Sequence, residues 1–326
     1  MLLENGSGLE VDSGFDDDSC YTDDSISSFE SSITPSVKDY PHEHGRRYHG
    51  YRPGVYILPN DEAEMARLDL SHLMFQKLLN DRLYLAPLES PKRILDLGSG
   101  TGIWALEMGE TFPNAEILGN DLTPIEPLRE LPNVTFEVDD VEDLWVHNKP
   151  FDFIFSRYMA ASISDWRAYI ENIYNHTSPG GWVEFQDYEP MYASDDGSLR
   201  PEHHTYKWIC GLIEASKKNG REPNVGPMLE SLLLEAGFEN VQHYQMKVPV
   251  GPWPKNRTLK EVGLFNLVQI LNGVEAFSLR LYTQVLGWSF DELQSLLKEV
   301  SRELRSGTIH SYHSFHVIYG QRPKSG

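Results

Sequence analysis

The chain has 326 residues, 28 of them basic and 49 acidic, a formal net charge of −21. That field repels phosphate backbones and anionic lipid, so a direct nucleic-acid or membrane-surface binder is not expected. No run of 18 or more apolar residues occurs, and the first residues, Met1 to Gly14, lack the basic and apolar blocks of a secretory leader. Two cysteines, Cys20 and Cys210, exclude a disulfide framework and a four-cysteine zinc site, and point to a reducing intracellular compartment, cytoplasmic or nuclear.

Residues 1–40 hold ten acidic residues, nine serines and a single basic residue, Lys38. Such a segment cannot bury enough apolar surface to order itself, and it reads as a disordered acidic tail. Its role stays open between solubility and docking or phosphorylation. Residues 41–326 read as one folded domain. Residues 61–80 follow a helical period through Met65, Leu68, Phe75 and Leu79, opened by a capping-box pattern of Asp61 and Glu64. His72 falls on the same face and reads as a core or boundary residue.

From residue 92 short apolar runs alternate with helical stretches. Strands are expected at 93–97, 115–120, 134–138, 151–156 and 182–187, and helices at 101–111 and 165–175. Two later strands are expected at 241–248 and 312–320. This order predicts an α/β, doubly wound, mostly parallel sheet of seven strands. Two stretches exceed the alternation. Helical cap insertions are expected at about 188–238 and 252–310, the second containing helices at 259–271 and 279–286 and one opened by Ser289 and Glu292.

Chemistry concentrates in Arg93-Ile-Leu-Asp96-Leu-Gly98-Ser-Gly100-Thr-Gly102-Ile-Trp104, a strand, a glycine-rich turn and a helix. Glycines there let backbone approach a ligand closely. A carboxylate at Asp96 would repel a pyrophosphate, which argues against a nicotinamide-dependent oxidoreductase. It suits a ligand with an ammonium group, and S-adenosylmethionine carries an ammonium and a sulfonium. Asp121, 19 residues after Gly102, stands where a ribose diol is held, with Leu122 beside it. Asp139, Asp140 and Val141 follow the third strand and suit an adenine amino group and ring face. Arg157, after the fourth strand, suits a carboxylate. The duller alternatives are loop caps for Asp96 and Asp121, a solvated turn for Asp139 and Asp140, and a surface ion pair for Arg157. Tyr51, with Tyr48 and Tyr56, reads either as a ring face for a sulfonium or as core packing.

At these residues the sequence resembles class I S-adenosylmethionine-dependent methyltransferases, with their Rossmann-like fold, and more narrowly the fungal LaeA-like family. That family includes velvet-associated regulators and methyltransferases of secondary-metabolite clusters. The resemblance rests on Tyr48-His-Gly-Tyr-Arg-Pro-Gly54, Leu58-Pro-Asn-Asp-Glu62, Arg67-Leu-Asp69, the glycine motif, Asp121-Leu-Thr-Pro-Ile125, Ser178-Pro-Gly-Gly-Trp-Val-Glu184, Leu286-Gly-Trp-Ser289 and Tyr319-Gly-Gln-Arg-Pro323. It spans about residues 45–323 and leaves the tail uncovered. Asn120 departs from the apolar residue usual before the acidic position. The resemblance implies Asp96, Gly98, Gly100, Gly102 and Asp121 as cofactor residues.

The acceptor is less legible. Methyl transfer is an in-line displacement, helped by a base only when the acceptor must lose a proton. His310 and His204 are the candidate catalytic residues, with His203, Asp187 and Glu189 behind them; each histidine also suits a structural role. His310 is expected to face an acceptor pocket covered by the 252–310 insertion. No metal is expected, because His42-Glu-His44 has no further ligand spaced with it. No Asn/Asp-Pro-Pro-aromatic string occurs, which argues against adenine or glutamine nitrogen as acceptor. Two functions remain open: a methyltransferase acting on a small molecule, and a nuclear regulatory relative working through a velvet-type partner.

Overall fold

The computed structural model describes residues 9–10, 40–51 and 56–324. The tail expected at 1–40 lies outside these except for Leu9, Glu10 and Tyr40. The Leu9 amide donates to Asp195 Oδ2 (3.3 Å), and the Lys255 amide donates to the Glu10 carbonyl (2.6 Å).

A two-residue hairpin, β1 (His42–Glu43) and β2 (Arg46–Arg47), precedes helix α1 (Glu62–Leu78). The central sheet comprises β3 (Arg93–Leu97), β4 (Glu116–Asp121), β5 (Val134–Val138), β6 (Phe151–Arg157), β7 (Thr177–Ala193), β8 (Glu239–Pro249) and β9 (Tyr312–Gln321). Their order across the sheet is β5-β4-β3-β6-β7-β9-β8. Pairings from β5 to β7 are parallel, and β9 runs antiparallel to both of its neighbours. This is the seven-stranded, mostly parallel sheet read from the sequence. Helices α2 (Ile103–Thr111), α3 (Trp166–His176) and α5 (Leu229–Ala236) accompany it, and α4 (His204–Lys218), α6 (Arg257–Arg280) and α7 (Phe290–Arg305) build the cap.

The β3 run Ile94-Leu95-Asp96-Leu97 is buried on both faces, as a central parallel strand must be, and Asp96 is its one polar member. Trp104 of α2 lies flat on Phe155 of β6, centroids 3.8 Å apart, and its indole N–H donates to the Leu83 carbonyl (3.0 Å). That packing fixes the helix that follows the glycine turn.

Two local expectations are revised. Asp61 caps α1 by accepting from the Glu64 amide (3.1 Å), but Glu64 does not return the bond. It turns inward and pairs with Arg67 (2.6 Å), both side chains buried. The reciprocal capping box occurs instead at Ser289 and Glu292, opening α7. The two helices expected at 259–271 and 279–286 are one continuous element, α6 running into a π-helical turn, Leu281–Val285. By length and composition Arg257–Val285 is apolar enough to cross a membrane. Over half of that window (56%) is buried, and the element packs along α1, so the apolar surface serves the core.

Candidate active site

The turn after β3 holds Gly98, Gly100 and Gly102 all at positive φ (70°, 59° and 77°). Any other residue would be strained there. The Gly100 amide donates to Asp121 Oδ2 (2.9 Å), and the Thr123 amide donates to Asp121 Oδ1 (2.9 Å). Asp121 is thereby aimed across the turn from the end of β4. Asn120 explains its own departure from the family pattern: its side-chain oxygen accepts from the Gly98 amide (3.3 Å), and its carbonyl accepts from the Ser99 amide (2.9 Å).

A cavity of about 900 Å³ opens over this turn. Gly98, Gly100, Asp121, Leu122 and Arg157 line it, together with Asp139, Asp140 and Val141 from the end of β5. Eight of the expected cofactor residues are therefore gathered in one place, and three are not. Asp96 lies just behind the turn, buried, with Oδ2 lacking any hydrogen-bond partner. Burial raises its pKa to about 7, with Ser99 and the Arg157 charge acting the other way. Gly102 faces away from the cavity. A Cβ there would sit 2.7 Å from the Phe136 ring, so Gly102 is required for packing α2 against β5. Tyr51 does not line the cavity either; its carbonyl bonds His49 Nδ1 (2.5 Å), and Tyr56 supplies the ring instead. Tyr48 is core, with the Arg280 guanidinium 3.4 Å from its ring centroid.

Arg157 enters the cavity floor supported from α1. Its Nη2 donates to His72 Nδ1 (2.9 Å), and His72 Nε2 bonds Glu107 Oε2 (3.0 Å). Burial lowers the Arg157 pKa to about 10. His72 is thus buried, as expected, and is also the support of a site residue.

A second cavity, about 930 Å³, adjoins the first and shares Tyr56, Tyr158 and Ser162 with it. Its walls come from the turn after β6, from β7, and from α4 and α6 of the cap. Tyr158 at the junction has φ +64°, an uncommon conformation for a bulky residue. Asp187 holds that turn: its Oδ2 accepts from the Met159 and Ala160 amides, both at 2.9 Å. Burial raises the Asp187 pKa to about 7. This expected base is spent on backbone.

The histidine candidates are also displaced. His310 sits beside the Trp253 ring, with Nδ1 2.6 Å from Asp196 Oδ2, and does not line the second cavity. His204 opens α4 and bonds Glu303 Oε1 (3.1 Å), at the rim of a separate groove between α4 and α7. His203 accepts from the Arg200 amide (2.9 Å), and Glu189 lies 3.9 Å from His316. The histidine that reaches the cavity is His313, three residues past His310 on β9. Alternation along 312–316 is the signal that could have found it, since His313 shares the buried face with Phe315. Among the described residues no cluster of three or more His, Cys, Asp or Glu is arranged to hold a metal. His42, Glu43 and His44 turn to Tyr40, Arg280 and Phe290 respectively.

The residues present fit S-adenosylmethionine. Asp96 is a buried carboxylate with an orphaned oxygen for an ammonium; Asp121 retains lone pairs for a diol; Arg157 supplies a cation for a carboxylate. The strand order and this site together define a class I, S-adenosylmethionine-dependent methyltransferase.

Comparison with known proteins agrees. A family profile described as "Methyltransferase domain" matches residues 70–243. The chain is 47% identical over 295 residues to the methyltransferase pytC of Aspergillus terreus, covering 90% of this chain and 91% of that one. It is 34% identical over 290 residues to the secondary metabolism regulator LAE1 of Cochliobolus heterostrophus, covering 86% and 94%. The protein belongs to the LaeA-like methyltransferases. A solved phosphoethanolamine N-methyltransferase 2 of Haemonchus contortus, in complex with phosphomonomethylethanolamine and S-adenosylhomocysteine, aligns with TM-score 0.50 and 18% identity. The alignment covers 79% of this chain and 57% of that one, and shows the fold alone.

Proposed function

We propose that the protein transfers a methyl group to a small molecule of fungal secondary metabolism. The observation that carries this reading is the second cavity, which is ring-lined and meets the glycine-turn cavity at Tyr56 and Tyr158. S-adenosylmethionine, when bound, supplies an electrophilic methyl group. The chain's own work is then placement: Asp96, Asp121 and Arg157 hold the donor's polar ends, and Tyr158 and Tyr56 border the acceptor's approach. Bringing two reactants to near-attack distance supplies much of such an acceleration. The relatives named methyltransferase pytC and probable methyltransferase tdiE support this reading.

The test is in vitro. Purified protein is incubated with isotope-labelled S-adenosylmethionine and a metabolite extract from a fungus lacking the gene. One labelled small-molecule product is expected. Label confined to protein would overturn the proposal.

A second reading, a regulatory methyltransferase acting in the nucleus through a velvet-type partner, draws on the relatives named secondary metabolism regulators. Exposed Trp288 and Phe290 near the α4–α7 groove support it. Stable co-elution of the purified chain with a velvet-domain protein, lost on Trp288→Ser, is its test. The cytoplasmic or nuclear location belongs to these proposals and is read by fractionation.

A further inference from the structure

The chemistry of the second cavity narrows the acceptor. Six aromatic side chains, Tyr56, Tyr158, Tyr188, Tyr192, Trp208 and Phe277, wall it. Among the described residues, no Asp, Glu, Lys or Arg lines it. Arg67 lies behind the wall, 4.9 Å from the Phe277 ring centroid and 5.9 Å from that of Tyr158. Its charge is already matched by buried Glu64. A carboxylate or phosphate carried into this cavity would lose its hydration without gaining a counter-charge.

His313 offers this wall an acceptor that, unlike a hydroxyl, cannot also donate. His313 is buried on β9, its ring stacked near Tyr192 (6.0 Å) and edge-on to Tyr188 (6.2 Å). Its Nδ1 lies 3.3 Å from the Ser314 carbonyl, which can only accept; the N–H therefore belongs on Nδ1. Nε2 is left as a bare acceptor, with no partner among the described residues. Burial keeps this ring neutral, its pKa lowered to about 4. Position defines its role. Tyr188 separates His313 from Tyr158 (ring centroids 4.9 Å apart), and Tyr158 borders the donor cavity. His313 thus stands at the far wall, away from the reacting atoms.

We propose that the methyl acceptor is an uncharged molecule with a flat, largely apolar body, and that it donates a hydroxyl or N–H hydrogen bond to His313 Nε2 at the end remote from the methyl group. This rests on the small-molecule methyltransferase reading. His313 is a positioning residue that sets which end of the acceptor meets the donor.

The experiment uses the full chain saturated with S-adenosylhomocysteine and three probes: a naphthol, the matching methoxynaphthalene and the matching naphthoate. Binding is read by calorimetry. The naphthol should bind about tenfold more tightly than the methyl ether, the worth of one hydrogen bond, and more tightly still than the anion. His313→Leu should abolish the preference for the naphthol over its ether. His313→Gln, whose side-chain oxygen also accepts, should restore it. S-adenosylhomocysteine affinity should stay unchanged throughout. Should His313→Leu fail to fold, His313→Asn, too short to reach, takes its place. The proposal is overturned if the naphthoate binds best, if His313→Leu keeps the discrimination, or if no probe binds protein that binds S-adenosylhomocysteine. Failure of the wild type to bind S-adenosylhomocysteine would strike the methyltransferase reading instead.

Discussion

His72 and Arg157 meet at 2.9 Å, the guanidinium Nη2 donating to the imidazole Nδ1. The contact requires Nδ1 to be unprotonated, and burial, the main cause, lowers the His72 pKa. The proton on Nε2 is then donated to Glu107, which also accepts from Gln76 Nε2 (2.5 Å). A chain of polar groups from α1 and α2 thus orients Arg157, the one cation lining the donor cavity among the described residues. His72→Leu should weaken S-adenosylmethionine binding about tenfold by freeing Arg157. His72→Gln, which keeps an acceptor, should weaken it less. Calorimetry of both variants reads the difference.

Asp96 should make donor binding depend on pH. Its pKa is raised to about 7 in the protein without donor, above the ordinary carboxylate value. It is therefore largely protonated below pH 7, where it cannot match an ammonium. Affinity for S-adenosylmethionine should rise as pH increases from about 6 to about 7.5. Asp96→Asn should remove that rise and weaken binding at pH 8. A parallel pH dependence in the variant would assign the effect to another group.

His313 should make stability depend on pH. Its folded pKa of about 4 lies below the unfolded value near 6.5. Between those values the unfolded chain binds the extra proton, so this group costs stability as pH falls from about 6.5 to about 4. The Tm difference between wild type and His313→Gln should shift in favour of the variant over that range. A constant difference would show that His313 is already hydrated.

Asp187 carries three backbone amides, those of Met159, Ala160 and Tyr188. Asp187→Ala should orphan them and cost about 3 kcal/mol, seen as a Tm lower by several degrees. Asp187→Asn should cost less, since one oxygen still accepts. An unchanged Tm in Asp187→Ala would show that the turn at Tyr158 is held elsewhere.

His310→Gln should leave turnover unchanged once an acceptor is known. The ring pairs with partly exposed Asp196 in the loop after β7, so its loss should change stability by less than about 1 kcal/mol. A turnover defect at unchanged Tm would return His310 to the site.

The sheet and most of the donor cavity are legible in the chain. Strand periodicity and turn residues are local properties, and Gly98, Gly100 and Asp121 sit at fixed offsets from the ends of β3 and β4 because a parallel sheet gathers its strand termini on one edge. The rest depends on contacts between distant segments. Whether Gly102 faces a ligand or Phe136, and whether Glu64 completes a cap or pairs with Arg67, depends on neighbours remote in sequence. The choice between His310 and His313 shows the reason most directly. His310 precedes β9, where no strand alternation fixes its direction, whereas His313 lies within β9 and emerges on the same side as Phe315. Which side is the cavity is set by how α4 and α6 fold back over it, and those contacts leave no local trace in the chain.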